Sequence, residues 1–208
     1  MEKYYFTRII LVIILLHCIF ITHCKFNIIV HPKPKINKPA QKIPLKVGIY
    51  IDKSNVNEIY SRDFLCLVGA AHTWNIPIGK ALKAASLYSF KQVFTHVKMI
   101  RRMEDFNTTA INIIFKPLAN EFGISQIIKS HLFLRGTIVD KENKIIYQKE
   151  VKGKTKSLGP SVRACCFGVF MAQGALSNSA TQAIESAFEK LFIDMMKNVK
   201  FTTFINKK

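Results

Sequence analysis

The stretch SHLFLRGTIVDKENKIIYQKEVKGKTKS, residues 130–157, has the clearest β periodicity in the chain. In its first half Leu132, Leu134 and Ile138 fall on one face of an extended segment running to Val139. In its second half, from Lys144, Ile145, Tyr147 and Val151 share one face, and Gln148, Glu150, Lys152, Lys154 and Lys156 share the other. Asp140-Lys141-Glu142-Asn143 joins them as a four-residue loop suited to an antiparallel hairpin with one dry and one wet side.

Downstream, Ala183, Ile184, Ala187, Phe188, Leu191, Phe192, Met195 and Met196 recur in pairs every four residues, which predicts an amphipathic helix that covers the hairpin's dry side. Ser179 and Gln182 have the spacing of a capping box and place its start there. The preceding segment ACCFGVFMAQGA, residues 164–175, is apolar and rich in small residues, and reads as a connection at least partly inside the core.

Upstream, Leu45, Val47, Ile49 and Ile51 alternate with Lys46, Gly48 and Tyr50, a half-buried strand. A short apolar stretch at residues 64–68 reads as a second strand. Pro77 fits the first turn of a helix running to about Lys91, in which Ala81, Leu82 and Ala85 form the apolar stripe. Val93 to Ile100 and Ile111 to Phe115 read as strands on either side of a turn at Asn107-Thr108-Thr109, the second stopped by Pro117. The order predicts an α/β domain, a two-layer α+β sandwich with a mostly antiparallel sheet and helices packed on one face.

The remaining forty-odd residues lead to a cellular address. Lys3 and Arg8 precede an apolar run, Ile9 to Thr22, of the length of a secretory signal core. His31 to Pro44 is rich in Pro and Lys, the composition of an extended, self-repelling tether with no packed face. We therefore divide the chain into a signal peptide over 1–24, a tether over 25–43 and a single domain over 44–208, a division that 208 residues accommodate without a second large domain.

The formal charge of +18 raises polyanions as partners. The excess, however, comes from 25 Lys against 6 Arg, beside 28 Ile and 12 Asn, a bias that AT-rich coding produces without selection for a ligand. The lysines are dispersed rather than interleaved with aromatics, and bidentate phosphate or base recognition favours Arg, which argues against nucleic acid. One basic strand face, Arg135 with Lys152, Lys154 and Lys156, is the candidate contact for phosphate or carboxylate groups of an envelope polymer.

No Walker loop, G-x-G-x-x-G, G-x-S-x-G, C-x-x-C or H-x-x-x-H is present, so the sequence offers no catalytic constellation, metal set or cofactor cradle, and we read it as non-catalytic. Cys66, Cys165 and Cys166 leave three arrangements open: a bridge from Cys66 to the vicinal pair, three thiols in an apolar setting, or, less favourably, a strained disulfide between Cys165 and Cys166 themselves. A secreted enzyme using one of these thiols with His72, His96 or His131 is the alternative of another class.

Ile21-Thr22-His23-Cys24 resembles the lipobox of bacterial lipoproteins, with His23 where a small residue is usual, and that resemblance implies a lipid anchor on Cys24. With Lys25 following, it further implies sorting to the outer membrane, facing the periplasm. KVGIYI (46–51), the IGKAL and SFKQVFTHV stretches (78–82 and 89–97) and the hairpin before an Ala-rich closing helix resemble, in layout, small envelope lipoproteins of the lipopolysaccharide-assembly, curli-secretion and penicillin-binding-protein-activator kinds. The resemblance implies a non-catalytic accessory of an envelope assembly or transport system, with an envelope protein complex as partner and the membrane reached through the N-terminal lipid.

Overall fold

The computed structural model describes Val12 and residues 23–65, 71–124, 128–155 and 169–206. The described residues form two sheets. The smaller has the order β1-β4-β3, from His23–Asn27 (β1), Tyr60–Leu65 (β3) and Ala71–Ile76 (β4). The larger has the order β5-β2-β6-β7-β8, from Ile43–Ile51 (β2), Phe94–Ile100 (β5), Ile111–Ile124 (β6), Ile128–Asp140 (β7) and Ile145–Lys154 (β8). The described residues also form helices α1 (Lys53–Val56), α2 (Ile78–Val93), α3 (Val169–Lys197) and α4 (Val199–Asn206), and a 3-10 turn over Met103–Thr108.

The α/β class read from the sequence is the one observed, with helices packed on the sheets. The pairing is more mixed than element order alone suggested. β2 runs parallel to both neighbours, β5 and β6, and only β6, β7 and β8 form the antiparallel meander. The physical reason lies in the connections. α2 carries the chain across one face so that β5 returns beside β2 in the same direction, and the 3-10 turn brings β6 back on β2's other side.

The hairpin forms as its periodicity required. Asp140 Oδ1 accepts the backbone N–H groups of Glu142 and Lys144, both at 2.9 Å, and Asn143 takes the positive φ of 64° that closes the turn. Leu132, Leu134, Ile138 and Tyr147 are buried, but Ile145 is exposed, because a register irregularity between Ile138 and Val139 turns it away from the core. β6 also runs past Pro117, contrary to the expected stop. The last β6 residue paired with β2 is Phe115, opposite Ile51, so Pro117 pairs with β7 alone, with a register shift before Ala119, a position where a missing N–H is tolerated.

α3 begins ten residues before the expected cap. Ser179 is therefore in mid-helix, and its hydroxyl is buried against those of Ser130 (2.7 Å) and Thr155 (2.8 Å), tying helix to hairpin. At 29 residues α3 extends about 43 Å. Ala183 and Ala187 let it settle on β8 at Gly153, and Leu191 covers Gly136 of β7. Tyr147 reaches up from β8 to donate its hydroxyl hydrogen to Asp194 at 2.8 Å, and burial, reinforced by that carboxylate, raises the phenol well above its ordinary range.

Phe90 of α2 is the hub of the core. It touches the rings of Phe94, Phe115 and Phe192, and Phe115 in turn meets Phe188 at 5.1 Å. Gly79 permits the close entry of α2, since a Cβ there would overlap the carbonyl oxygens of Asn55 and Val56 at the end of α1. On the opposite sheet face a smaller cluster of Tyr50, Ile100, Phe106 and Val139 lies beneath the 3-10 turn.

The Pro/Lys-rich stretch read as a tether has a packed face. Ile28, Val30, Pro32 and Pro34 are buried in alternation, while Ile29, His31, Lys33 and Lys35 are exposed. Lys33 N–H donates to Glu185 at 2.7 Å and Lys35 N–H to Glu189 at 3.2 Å, and the Ser177 hydroxyl donates to the Ile29 carbonyl, so the segment is a strap along α3. Lysine content suggested repulsion, but the period-two burial of its apolar residues and the two glutamates of α3 outweigh it.

Candidate functional site: a basic cleft at the β5 edge

Lys42 precedes β2 and Lys46 lies within it, on the strand side that Gly48 and Tyr50 share and that faces away from the helices. The parallel β2–β5 register sets Lys46 beside His96 and Gly48 beside Lys98. β5 is an edge strand, so nothing in the sheet covers its outer side. Lys91, in the last turn of α2, completes the ring from the near end, and Thr108 and Thr109 approach from the end of the 3-10 turn.

Together these residues line a cleft of about 580 Å³, open on one side. Four lysines and a histidine border it, and among the described residues no carboxylate does; Glu104 and Asp105, the acids of the neighbouring turn, are not among its lining residues. The size falls in the range of small-molecule sites, roughly 300–1,000 Å³.

Its floor is fixed. Val47 and Phe94 are buried. Thr109 donates its hydroxyl hydrogen to Asn112 Oδ1 at 2.6 Å, and Asn112, fully buried, donates from Nδ2 to the Phe106 carbonyl at 3.0 Å. Gly48 makes room for this arrangement, since a Cβ there would press within 2.6 Å of Ile100 Cδ1 and overlap the Asn112 amide oxygen. One ammonium is also held in place: Lys98 Nζ donates to Thr108 Oγ1 at 2.7 Å, and that hydroxyl donates to the Asp105 carbonyl at 2.6 Å.

The strand face chosen from the sequence is a different surface. Register puts Arg135, Lys152 and Lys154 on one side of the hairpin, as expected, but Glu150 lies among them and accepts from Arg135 Nε at 2.8 Å. Lys152 Nζ sits 4.5 Å from the centre of the Phe133 ring, and its carbonyl accepts from Lys190. Lys156 lies outside the described residues, as do Cys66, Cys165 and Cys166. Cys24 lies in β1, in register with His72 of β4. The three histidines weighed for a thiol-based site are dispersed, His72 on the small sheet, and His96 and His131 on β5 and β7 with two strands between them. Among the described residues no group of three or more His, Cys, Asp or Glu is placed to hold a metal ion.

The cleft was not read from the sequence because its members are Lys42, Lys46, Lys91 and Lys98, four of 31 Lys and Arg, with His96, one of six His, and they share no motif. The signal that could have found it is a pairing signal: Lys46 and His96 meet only if the strand at 45–51 and the strand at 93–100 are adjacent and parallel.

No protein-family model matches the chain, and no curated protein matches it. Solved structures with some likeness include a Xanthomonas campestris protein of family DUF330, 10% identical over 88% of this chain and 96% of that one, with a TM-score of 0.43. A hypothetical protein of Chlamydia trachomatis is 9% identical over 78% of this chain and 99% of that one, with a TM-score of 0.38. A proposed lipoprotein of Caulobacter crescentus is 11% identical over 48% of this chain and 69% of that one, with a TM-score of 0.30.

Proposed function

We propose that this chain is an exported cell-envelope protein, anchored by lipid on Cys24, that works by binding as an accessory of an envelope assembly or transport system. The observation that carries the reading is the cysteine that ends the apolar leader, in Ile21-Thr22-His23-Cys24. Two acyl chains on that residue would hold the domain at a membrane, at about 0.8 kcal/mol per buried CH₂. No helix among the described residues is long and apolar enough to cross a membrane.

A binding role is supported by what the domain presents to solvent: a preformed polar cleft and a charged hairpin face, each on rigid strands. The test is intact-mass and peptide analysis of the mature N-terminus taken from the native membrane fraction. The expected result is a diacylglycerol-modified Cys24 as first residue. An unmodified start elsewhere, or an intact Met1, overturns the anchor.

A further inference from the structure

We infer that the cleft bordered by Lys46, His96 and Lys98 is a binding site for a small, multiply charged phosphate ester. The inference goes beyond the envelope reading and does not depend on it, since the cleft is built from strands, a helix end and a turn of the folded domain.

Charge comes first. Lys42, Lys46, Lys91 and Lys98 converge on one space with His96 and with no carboxylate in the lining. Like charges brought together by folding oppose the fold, and one counter-anion held between them reverses the sign of that interaction. The same chain treats other cations differently: Arg135 is neutralised by Glu150, and Lys149 lies 3.4 Å from Asp194. The cleft cations have neither kind of partner among the described residues.

The donor set then narrows the ligand. Ammonium groups act as compact point charges without the bidentate geometry of a guanidinium, so several of them converging from different directions suit an anion that offers several oxygens, as a phosphate group does. Here the ammoniums come from three elements: β2 with its approach, the end of α2 and β5. The hydroxyl hydrogens of Thr108 and Thr109, on a fourth element, go to the Asp105 carbonyl and Asn112 Oδ1, so these residues offer acceptor oxygens to hydroxyl groups of the ester's organic part. A volume of about 580 Å³ exceeds what one phosphate group fills and leaves space for the organic part of an ester.

The rigidity of the lining gives a further reason. The Thr109–Asn112–Phe106 hydrogen bonds and the space under Gly48 fix the floor, and the Thr108 hydroxyl aims Lys98. A merely solvated lysine gains little from such aiming, whereas a positioned ammonium loses less freedom when an anion binds.

Free phosphate esters and the headgroups of anionic phospholipids share this chemistry, and titration calorimetry of the full chain in neutral detergent at low ionic strength separates them. The probes are inorganic phosphate, glycerol phosphate and short-chain dihexanoyl phosphatidic acid, whose headgroup is a phosphomonoester, with citrate as a carboxylate control. The expected result is saturable binding of at least one phosphate-bearing probe, weakened on the order of tenfold or more by Lys46→Glu with Lys98→Glu and unchanged by Lys152→Glu with Lys154→Glu. Lys42→Gln and Lys91→Gln, at exposed positions, are expected to weaken it about two- to fivefold each, which keeps the test sound should the charge-reversed pair fail to fold. Binding of glycerol phosphate identifies a soluble ester as sufficient; binding of the lipid alone identifies a headgroup with its acyl chains. No binding of any phosphate probe, equal binding by the cleft variants, or citrate binding as tight as phosphate overturns the proposal.

Discussion

Gly153 of β8 lies so close beneath Ala183 of α3 that a methyl group on it would overlap the Ala183 carbonyl oxygen. It would also come within 2.7 Å of the Ala187 nitrogen, so the obstruction is helix backbone, which no rotamer change relieves. α3 is therefore seated on the sheet at its closest point by three small residues, Gly153, Ala183 and Ala187.

Gly153→Ala is expected to destabilise the domain by about 2–4 kcal/mol, because α3 must lift along much of its contact with β8. Gly174, in the same helix, has nothing within 4 Å of a built Cβ. Gly174→Ala is expected to stabilise by up to about 1 kcal/mol through helix propensity alone. Urea unfolding of the two variants checks both, and equal effects would place α3 farther from the sheet than Gly153 implies.

The strap gives a second expectation. Trypsin cleaves poorly before proline, so in the stretch His31 to Ala40 the susceptible bond is Lys35–Ile36. Glu189 accepts the Lys35 N–H and Glu185 the Lys33 N–H. Glu185→Ala with Glu189→Ala is expected to accelerate cleavage at Lys35–Ile36 on the order of tenfold while the domain resists, as local opening without global unfolding predicts. Mass spectrometry of timed digests reads the site directly, and an unchanged rate would mean the buried prolines alone hold the strap.

Glu58 gives a pH expectation. Burial raises its carboxyl above the ordinary 4.5, against the lowering effect of the Asn120 side-chain N–H, which donates to it at 2.7 Å. A carboxyl raised in the folded state contributes stability below its unfolded value, and that contribution is lost as pH rises through the folded value. Glu58→Gln is accordingly expected to raise the unfolding midpoint at neutral pH, with the difference vanishing at about pH 4 and below. The amide keeps an acceptor for Asn120 Nδ2 and adds a donor near Asn120 Oδ1, a buried oxygen with no partner among the described residues. Thermal unfolding of both proteins across pH 4 to 8 tests the sign.

Local pattern made some elements legible and hid others. The hairpin, β2 and the apolar face of α3 were readable because each buries one face and its sequence repeats with the corresponding period. β1 and β4 were not. β1 follows an apolar run whose composition reads as a leader, and β4, AHTWNI, is too short and too mixed to show a period. The parallel pairing of β2 with β5 and β6 was hidden for a different reason: nothing in Val47 or Ile49 specifies the direction of a neighbour, which is set by the α2 crossover. The basic cleft inherits that difficulty, since Lys46 and His96 are fifty residues apart and meet only through the ladder. The charged hairpin face was legible as a face, but the Arg135–Glu150 pair across it depends on register.

The docked strap bears on mechanics at a membrane. The nineteen residues from Lys25 to Ile43 would, if undocked and extended, give a leash of some 60 Å at about 3.1 Å per residue, and an acylated Cys24 on it would let the domain sweep a wide hemisphere. With β1 in a sheet and residues 28–36 laid along α3, that leash is wound in. An acyl group on Cys24 would emerge from the fold itself, so the domain would stand on the bilayer as a pedestal with one heading, and any larger assembly would have to come down to it.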